Sequence, residues 1–222
     1  MSISENLHTI KSKLPANVKL VAVSKFHNAT TVHEAYDAGQ RIFGESRMQE
    51  VEQKHQLLPD DIEWHFIGHL QTNKVKAILP YTHTIQSVDS IKLLKEIDKQ
   101  AAIIQKPIRC FLEIHIAQED AKYGFSFEEC RQLLKEGQSR SLQYAYIGGI
   151  MGMATNTDDE ALIRTEFKRL KLFYDEIKID YFSEDNRFSE ISMGMSDDYL
   201  IAVEEGSTIV RIGSSIFGQR EY

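Results

Sequence analysis

Cysteine, proline and long apolar runs are all scarce in this sequence. The two cysteines, Cys110 and Cys130, show neither a CxxC motif nor a Cys/His ligand spacing, so a zinc or redox motif is unsupported and both are expected to be reduced thiols. No apolar run reaches the roughly 18 residues of a membrane span. Residues 1–14 lack the apolar centre of a signal peptide. These absences predict a cytoplasmic protein that does not enter a membrane.

Positive charge is also in short supply. The 26 lysines and arginines are outnumbered by 33 acidic residues, which gives a formal net charge of −7. Because nucleic-acid binding requires a basic surface, this balance argues against a nucleic-acid partner. It leaves room for a small anion in a locally positive pocket, since the field inside a pocket depends on its own neighbouring groups.

Apolar runs typical of buried strands alternate along the chain with segments whose apolar residues are spaced by three and four, as in helices. No linker rich in proline, glycine or serine interrupts the 222 residues, so we expect one domain over residues 1–222. The candidate strands are Leu20–Val23, Arg41–Gly44, Trp64–Ile67, Thr84–Val88, Arg109–Ile116, Tyr146–Met151, Ile191–Met193 and Ile209–Ile212.

This alternation predicts an α/β protein in which parallel strands are covered by helices. The repeats favour a single (β/α)8 TIM-type barrel, which can be built from roughly 200 residues. A doubly wound open sheet is the alternative. Apolar residues at Ile3, Leu7 and Ile10 predict an additional helix before the first strand.

Helix ends are predicted from local patterns. Residues 180–186 are polar and are expected to form a loop. Three pairs have the spacing of a capping box and are predicted to start helices: Thr31 with Glu34, Ser126 with Glu129, and Thr157 with Glu160.

Lys25 is the most informative single residue, because the chemistry of such barrels sits at the C-terminal ends of the strands. It follows the apolar run Leu20–Val23. A lysine at the exit of a buried strand is costly to charge unless it has a partner, and an uncharged lysine is a nucleophile toward carbonyl groups. The alternative is a lysine that extends to solvent at the barrel rim.

A second candidate site lies at the last predicted strand. Arg211 and Gly213 share one face of that strand. Gly213 and Ser214 can expose backbone N–H groups, and glycine permits close approach of a ligand. A phosphate site after the seventh and eighth strands is common in these barrels. The alternative is a structural arginine in the barrel wall.

Two further segments carry polar candidates. Ser192 could donate a hydroxyl to phosphate, while Ser196 or Asp197 could cap the next helix. His65 and His69 are four residues apart, but they lie in a predicted strand and its exit, so we do not expect a metal site. His69 could still line a pocket.

Taken together, these motifs resemble the pyridoxal phosphate homeostasis proteins, the YggS/PROSC family. The resemblance extends from about Val21 to Gly218. Several long motifs in the same order make it specific. The matching stretches are residues 22–25, 43–45, 64–68, 70–71, 73–74, 192–198, 210–213 and 216–218.

The resemblance implies a fold similar to the barrel domain of alanine racemase and a bound pyridoxal 5′-phosphate (PLP). Lys25 matches the lysine that forms the internal aldimine, and Arg211 matches the arginine facing the pyridine nitrogen. Gly213 and Ser214 match the backbone and side-chain contacts to the phosphate, and Ser192 matches a phosphate-binding serine. Members of the family generally lack demonstrated catalytic activity.

Two departures from the family pattern fall near the implied site. Ser46 and Arg47 stand where the family usually has Asn-Tyr, whose asparagine lies near the cofactor ring. His115 stands where the family often has asparagine, whereas Lys122 and Gly124 keep a later Lys-x-Gly pattern. The resemblance therefore implies an altered pocket that retains the lysine linkage and the phosphate site.

The implied position of Arg211 favours a carrier over an enzyme. A guanidinium facing the ring nitrogen discourages its protonation, and an unprotonated pyridine is a poorer electron sink. Racemases with this arginine use a second base from another domain, for which 222 residues leave no room. We expect a monomeric PLP-binding homeostasis protein without catalytic residues, which buffers PLP or passes it to apo PLP enzymes. The alternative is a PLP-dependent amino-acid racemase or related small enzyme, with His69 or Tyr199 as its base.

Overall fold

The structure, a computed structural model, describes residues 2–119 and 123–218, so Lys122 lies outside the described residues. Within these ranges, parallel strands close into a barrel whose spatial order follows the sequence, with the last strand paired to the first. The strands are β1 (Lys19–Val23), β2 (Ile42–Glu45), β3 (Glu63–Phe66), β4 (Thr84–Val88), β5 (Ile108–His115), β6 (Ala145–Met153), β7 (Glu190–Ser192) and β8 (Ile209–Ile212).

Helices connect the strands and cover the barrel. The α-helices are α1 (Ile3–Lys13), α2 (Ala29–Asp37), α3 (Met48–Leu57), α4 (Val75–Ile78), α5 (Ile91–Ile103), α6 (Phe127–Lys135), α7 (Glu160–Tyr181), α8 (Tyr199–Glu204) and α9 (Ser214–Phe217). The predicted (β/α)8 barrel with an additional N-terminal helix is confirmed, and the pairing of β1 with β8 rules out the open sheet. A search of the described residues for a helix long and apolar enough to cross a membrane finds none.

The core has two layers, one on each side of the barrel wall. The larger layer lies between strands and helices and contains Phe43, Trp64 and Phe167, all buried. The smaller layer lies inside the barrel and includes Val21 and Phe111. Because successive residues of a strand face opposite sides, odd-numbered positions of β1 face the barrel interior.

The first two predicted helix starts have different outcomes. The Ser126–Glu129 capping box is confirmed at the start of α6. The Thr31–Glu34 box is wrong, because α2 begins earlier. Its N-cap is Asn28, whose side-chain oxygen accepts a hydrogen bond from the Thr31 N–H at 2.9 Å. An asparagine is at least as good an N-cap as a threonine, and it lies upstream of the predicted pair.

The third helix start and the predicted loop after it are both corrected. Asp159 caps α7 in place of Thr157, accepting hydrogen bonds from two backbone N–H groups of the first turn. The same helix ends at Tyr181, so it includes the first two residues of the segment 180–186 that was expected to be a loop. Ile177 is buried, so the apolar face of the helix continues into its last turns. The helix therefore extends into the polar residues at the start of segment 180–186.

Candidate functional site at the C-terminal rim

Lys25 and the Gly213–Ser214 corner follow neighbouring strands at one rim of the barrel. β1 pairs in parallel with β8, and the two strands leave the sheet together. A Cβ atom on Gly213 would lie 3.1 Å from the carbonyl oxygen of Val23, two residues before Lys25. Lys25 is partly buried. The closed barrel thus brings the lysine from the start of the chain to the glycine corner near its end.

The Gly213 corner also contains a hydroxyl from the preceding strand exit. Gly213 precedes α9, and its N–H donates to Ser196 Oγ at 3.3 Å. Ser214 is exposed at the same corner. The expectation that Ser196 or Asp197 caps the next helix is wrong, because Asp198 is the N-cap of α8 and makes no side-chain capping bond.

Arg211 lies inside the barrel beneath this corner and is 4% exposed. Its NH1 donates to Ser192 Oγ at 2.6 Å, and its NH2 donates to the carbonyl oxygen of Gly152 at 3.1 Å. Burial lowers the pKa of Arg211 to about 10, against the opposing effect of Asp198 and Glu113. The guanidinium therefore keeps its charge at neutral pH.

Ser192 is fully buried, and its hydroxyl hydrogen-bonds within the barrel interior. Its Oγ donates to Gln86 Oε1 at 2.7 Å and accepts from Arg211. The serine that contacts Gly213 is Ser196. These contacts orient Arg211, and the phosphate contact of Ser192 stays a prediction from the sequence.

The hydrogen bonds that begin at Arg211 continue across the barrel to β3. Gln86 Nε2 donates to His65 Nδ1 at 2.7 Å, so the ring proton resides on Nε2, which lies 2.9 Å from Glu63 Oε1. Burial lowers the pKa of His65, and the hydrogen bond from His65 holds the pKa of Glu63 at about 2. His65 is therefore a neutral interior residue, and no group that could hold a metal ion occurs among the described residues.

A histidine from the β3 exit lies at the same rim. His69 Nδ1 lies 3.1 Å from Asp89 Oδ2, and its ring stacks on Tyr123 with centroids 3.8 Å apart. Tyr199, the other base considered from the sequence, is buried in α8. Of these two residues, only His69 has a side chain with substantial exposure at the rim.

Sequence reasoning missed the acid that accompanies Arg211. Glu113 lies on β5 two residues after Phe111, so alternation directs it into the barrel. Burial raises its pKa to about 7, helped by Asp89 and opposed by Arg211. A single acidic residue within the apolar strand run 109–116 was the available signal.

These groups suit a small anionic compound that carries a carbonyl. Lys25 offers an amine, Arg211 a fixed positive charge, and Gly213 an amide without a Cβ. Hydroxyls of Ser196 and Ser214 complete a set of donors for an anion. The fold and this arrangement define a (β/α)8 barrel in which a lysine and a glycine–serine corner follow adjacent strands.

Comparison with known proteins narrows this class to a family. The alanine racemase N-terminal domain family matches residues 1–221. A pyridoxal phosphate homeostasis protein of Pasteurella multocida is 35% identical over 100% of this chain and 99% of its own length. One of Schizosaccharomyces pombe is 37% identical over 92% of this chain and 85% of its own length. The chain belongs to the alanine racemase N-terminal domain family and, within it, to the pyridoxal phosphate homeostasis proteins.

Solved structures agree with this assignment. PipY of Synechococcus elongatus PCC7942, with PLP bound, is 35% identical with a TM-score of 0.89, covering 98% of this chain and 100% of PipY. An alanine racemase of Clostridium difficile 630 is 17% identical with a TM-score of 0.75, covering 100% of this chain and 56% of the racemase. The racemase comparison shows that the barrel fold is shared.

Proposed function

We propose that this chain binds PLP at the C-terminal rim of its barrel and serves in PLP homeostasis, with Lys25 as the point of covalent attachment. The observation that carries the proposal is the proximity of Gly213 to Val23, which brings the Gly213–Ser214 corner next to the segment that leads to Lys25. Relatives over the full length of the chain bear the name of this function, and PipY binds PLP.

The residues present fit the parts of this cofactor. PLP supplies an aldehyde that condenses with an amine and a ring that accepts electrons. Lys25 would provide the amine, and Arg211 would face the ring nitrogen and disfavour its protonation. Gly213 N–H, Ser214 Oγ and Ser196 Oγ would hold the phosphate. The amine thus matches the aldehyde, the guanidinium matches the ring nitrogen, and the N–H and O–H donors match the phosphate.

Ser192 has an indirect role in this proposal. Because its hydroxyl accepts from Arg211 and donates to Gln86, it fixes the guanidinium in place. We propose this role for Ser192 in place of the direct phosphate contact expected from the sequence. Ser196, which contacts the Gly213 amide, takes the phosphate role instead.

We further propose that the protein is a carrier that passes PLP to apo enzymes, acting as a cytoplasmic monomer without catalytic residues. A charged guanidinium at the ring nitrogen weakens the ring as an electron sink, which disfavours carbanion chemistry. Full-length relatives named for homeostasis support the same role.

The attachment site is tested by absorbance titration with PLP. The wild-type chain and the Lys76→Ala control, in which an exposed lysine of α4 is removed, are expected to develop the band of a lysine-linked cofactor. Lys25→Ala is expected to show only the band of free PLP. A wild-type chain without the linked band, or a Lys25→Ala variant that keeps it, would refute the proposal.

A racemase or related small enzyme is the second candidate function. The observation in its favour is the contact between His69 and Asp89 at the rim, an arrangement that orients a histidine as a base. It predicts exchange of the α-hydrogen of an amino acid in heavy water, abolished by His69→Ala. The carrier proposal predicts no exchange by the PLP-loaded protein across a panel of amino acids.

A further inference from the structure

A buried lysine and two carboxylates lie directly behind the turn that contains Lys25. Lys54 on α3 is 4% exposed, and Glu45 at the end of β2 is fully buried. Lys54 Nζ donates to Glu45 Oε1 at 2.6 Å and to Glu50 Oε2 at 3.1 Å. We call Glu45, Glu50 and Lys54 the Lys54 cluster. None of the three belongs to the site described above.

The cluster holds the backbone on both sides of Lys25. On one side, Lys54 Nζ donates to the carbonyl oxygen of Ser24 at 2.8 Å. The Ser24 hydroxyl donates to Glu45 Oε1 at 2.6 Å. On the other side, the Phe26 N–H donates to Glu50 Oε2 at 2.8 Å. Each neighbour of the lysine is therefore bonded to a charged group of the cluster.

The turn that these contacts hold is one that its sequence disfavours. Phe26 has a φ of 70°, in the left-handed region that residues with a Cβ rarely occupy. The turn is closed by the His27 N–H, which donates to the Ser24 carbonyl oxygen at 3.1 Å. Such a conformation persists where the surroundings fix it, and here Glu50 accepts the Phe26 amide while Arg47 packs over the Phe26 ring at 4.4 Å.

Stability alone is a weak reason to bury these charges. Burial raises the pKa of Glu45 to about 7 despite the opposing effect of Lys54. The Oε2 atom of Glu45 makes no hydrogen bond within the described residues. Apolar side chains of similar volume often replace a buried ion pair without loss of stability. The contacts to Ser24 and Phe26 are what an apolar replacement could not supply.

We propose that the Lys54 cluster positions Lys25. The cluster fixes residues 24–26 in a turn, and from this turn the lysine amine reaches a carbonyl compound bound at the Gly213–Ser214 corner. The inference rests on the proposed function, because that function supplies the carbonyl compound. Reactions between groups held in place are sensitive to small displacements, and a shift of about 1 Å can reduce a rate by as much as 10²-fold. The cluster acts through Lys25 and touches no ligand itself.

The test separates covalent attachment at Lys25 from binding at the Gly213–Ser214 corner. Rates of attachment are measured by rapid-mixing absorbance with PLP. Affinity of the corner is measured with pyridoxine 5′-phosphate, which has an alcohol in place of the aldehyde. The variants are Glu50→Ala, which removes the acceptor of the Phe26 amide, Glu50→Gln, which keeps an oxygen acceptor, and Lys54→Met. The control is Glu166→Ala, because Glu166 is a buried carboxylate that holds Thr155 of the β6 exit.

We expect Glu50→Ala and Lys54→Met to slow attachment by roughly tenfold, within the range that misplacement produces. Their affinity for pyridoxine 5′-phosphate should stay at the wild-type value, Glu50→Gln should recover most of the rate, and Glu166→Ala should leave both measurements unchanged. If Lys54→Met does not fold, Glu50→Ala, whose side chain is 19% exposed, decides the matter.

Three outcomes would overturn the inference while leaving the proposed function intact. The first is wild-type attachment rates in the folded Glu50→Ala variant. The second is a parallel loss of affinity for pyridoxine 5′-phosphate, which would indicate a general disturbance of the site. The third is equal slowing by Glu166→Ala. A wild-type chain that never forms the linkage would instead overturn the proposed function itself.

Discussion

At the scale of single residues, burial distinguishes Ser192 from the two serines near Gly213. The Ser192 hydroxyl donates to Gln86 and accepts from Arg211, and it is fully buried. The Ser196 and Ser214 hydroxyls lie around Gly213, where an anion can be reached. Two serines four residues apart in one motif therefore have different surroundings, and the roles proposed for them differ accordingly.

Ser192→Ala is expected to destabilise the fold with little effect on binding at the Gly213–Ser214 corner. Loss of the hydroxyl leaves buried groups of Gln86 and Arg211 without a partner, which costs about 1–3 kcal/mol of the free energy of unfolding. Urea unfolding measures this cost. Affinity for pyridoxine 5′-phosphate should fall much more in Ser214→Ala than in Ser192→Ala, and the reverse order would return Ser192 to the phosphate.

Glu113 predicts a pH dependence of stability. Its pKa is raised in the folded chain from the ordinary value of 4.5 to about 7. Between these values the folded state retains a proton that the unfolded state has lost. The free energy of unfolding therefore falls as pH rises through this window, by up to about 3 kcal/mol from this group at ~1.4 kcal/mol per pKa unit. Urea unfolding from pH 4.5 to 8 should show a smaller decline in Glu113→Gln.

The exposed Glu128 provides the control for this measurement. Its side chain is 84% exposed, so Glu128→Gln should reproduce the wild-type decline. Some decline remains in Glu113→Gln because burial also raises the pKa of Glu45 to about 7. A Glu113→Gln variant with the full wild-type decline would show that this carboxyl is charged in the folded chain at neutral pH.

At the scale of elements, strands were easier to predict than helix ends. An apolar run such as Leu20–Val23 identifies a buried strand because few other structures bury both faces. A helix start often offers several neighbouring polar residues that could accept the first free backbone N–H groups, and the sequence does not show which one does. In α7 the N-cap is Asp159, two residues after the predicted Thr157. The last strand, which contains Arg211, was predictable because Ile209, Val210 and Ile212 form an apolar run. Lys54 was not, because only the packing of α3 brings it to Ser24.

The α7 cap gives a direct comparison of the two residues. Asp159 accepts hydrogen bonds from the backbone N–H groups of Ala161 and Leu162, so Asp159→Ala is expected to lower the free energy of unfolding by about 1 kcal/mol. Thr157 accepts one bond at 3.2 Å outside the helix, so Thr157→Ala should cost less. Urea unfolding of both variants decides the order, and a larger loss in Thr157→Ala would contradict the observed cap.

At the scale of the whole molecule, barrel closure brings the two ends of the sequence together at one rim. The exits of β1 and β8 lie side by side because the last strand pairs with the first. Sequence analysis could anticipate this proximity, since eight strand–helix repeats favour closure and the chemistry of such barrels lies at one rim. It could not anticipate the series of interior polar groups from Arg211 to Glu63, which come from strands far apart in the sequence.

Borohydride reduction of the PLP-treated chain, followed by peptide mapping, tests the central claim most directly. Reduction converts a lysine–PLP linkage into a stable bond, so the modified residue is identified by the mass of its peptide. We predict that the modification resides on the peptide containing Lys25 and is absent from Lys25→Ala. Modification of another lysine in place of Lys25, or no stable modification at all, would contradict the account.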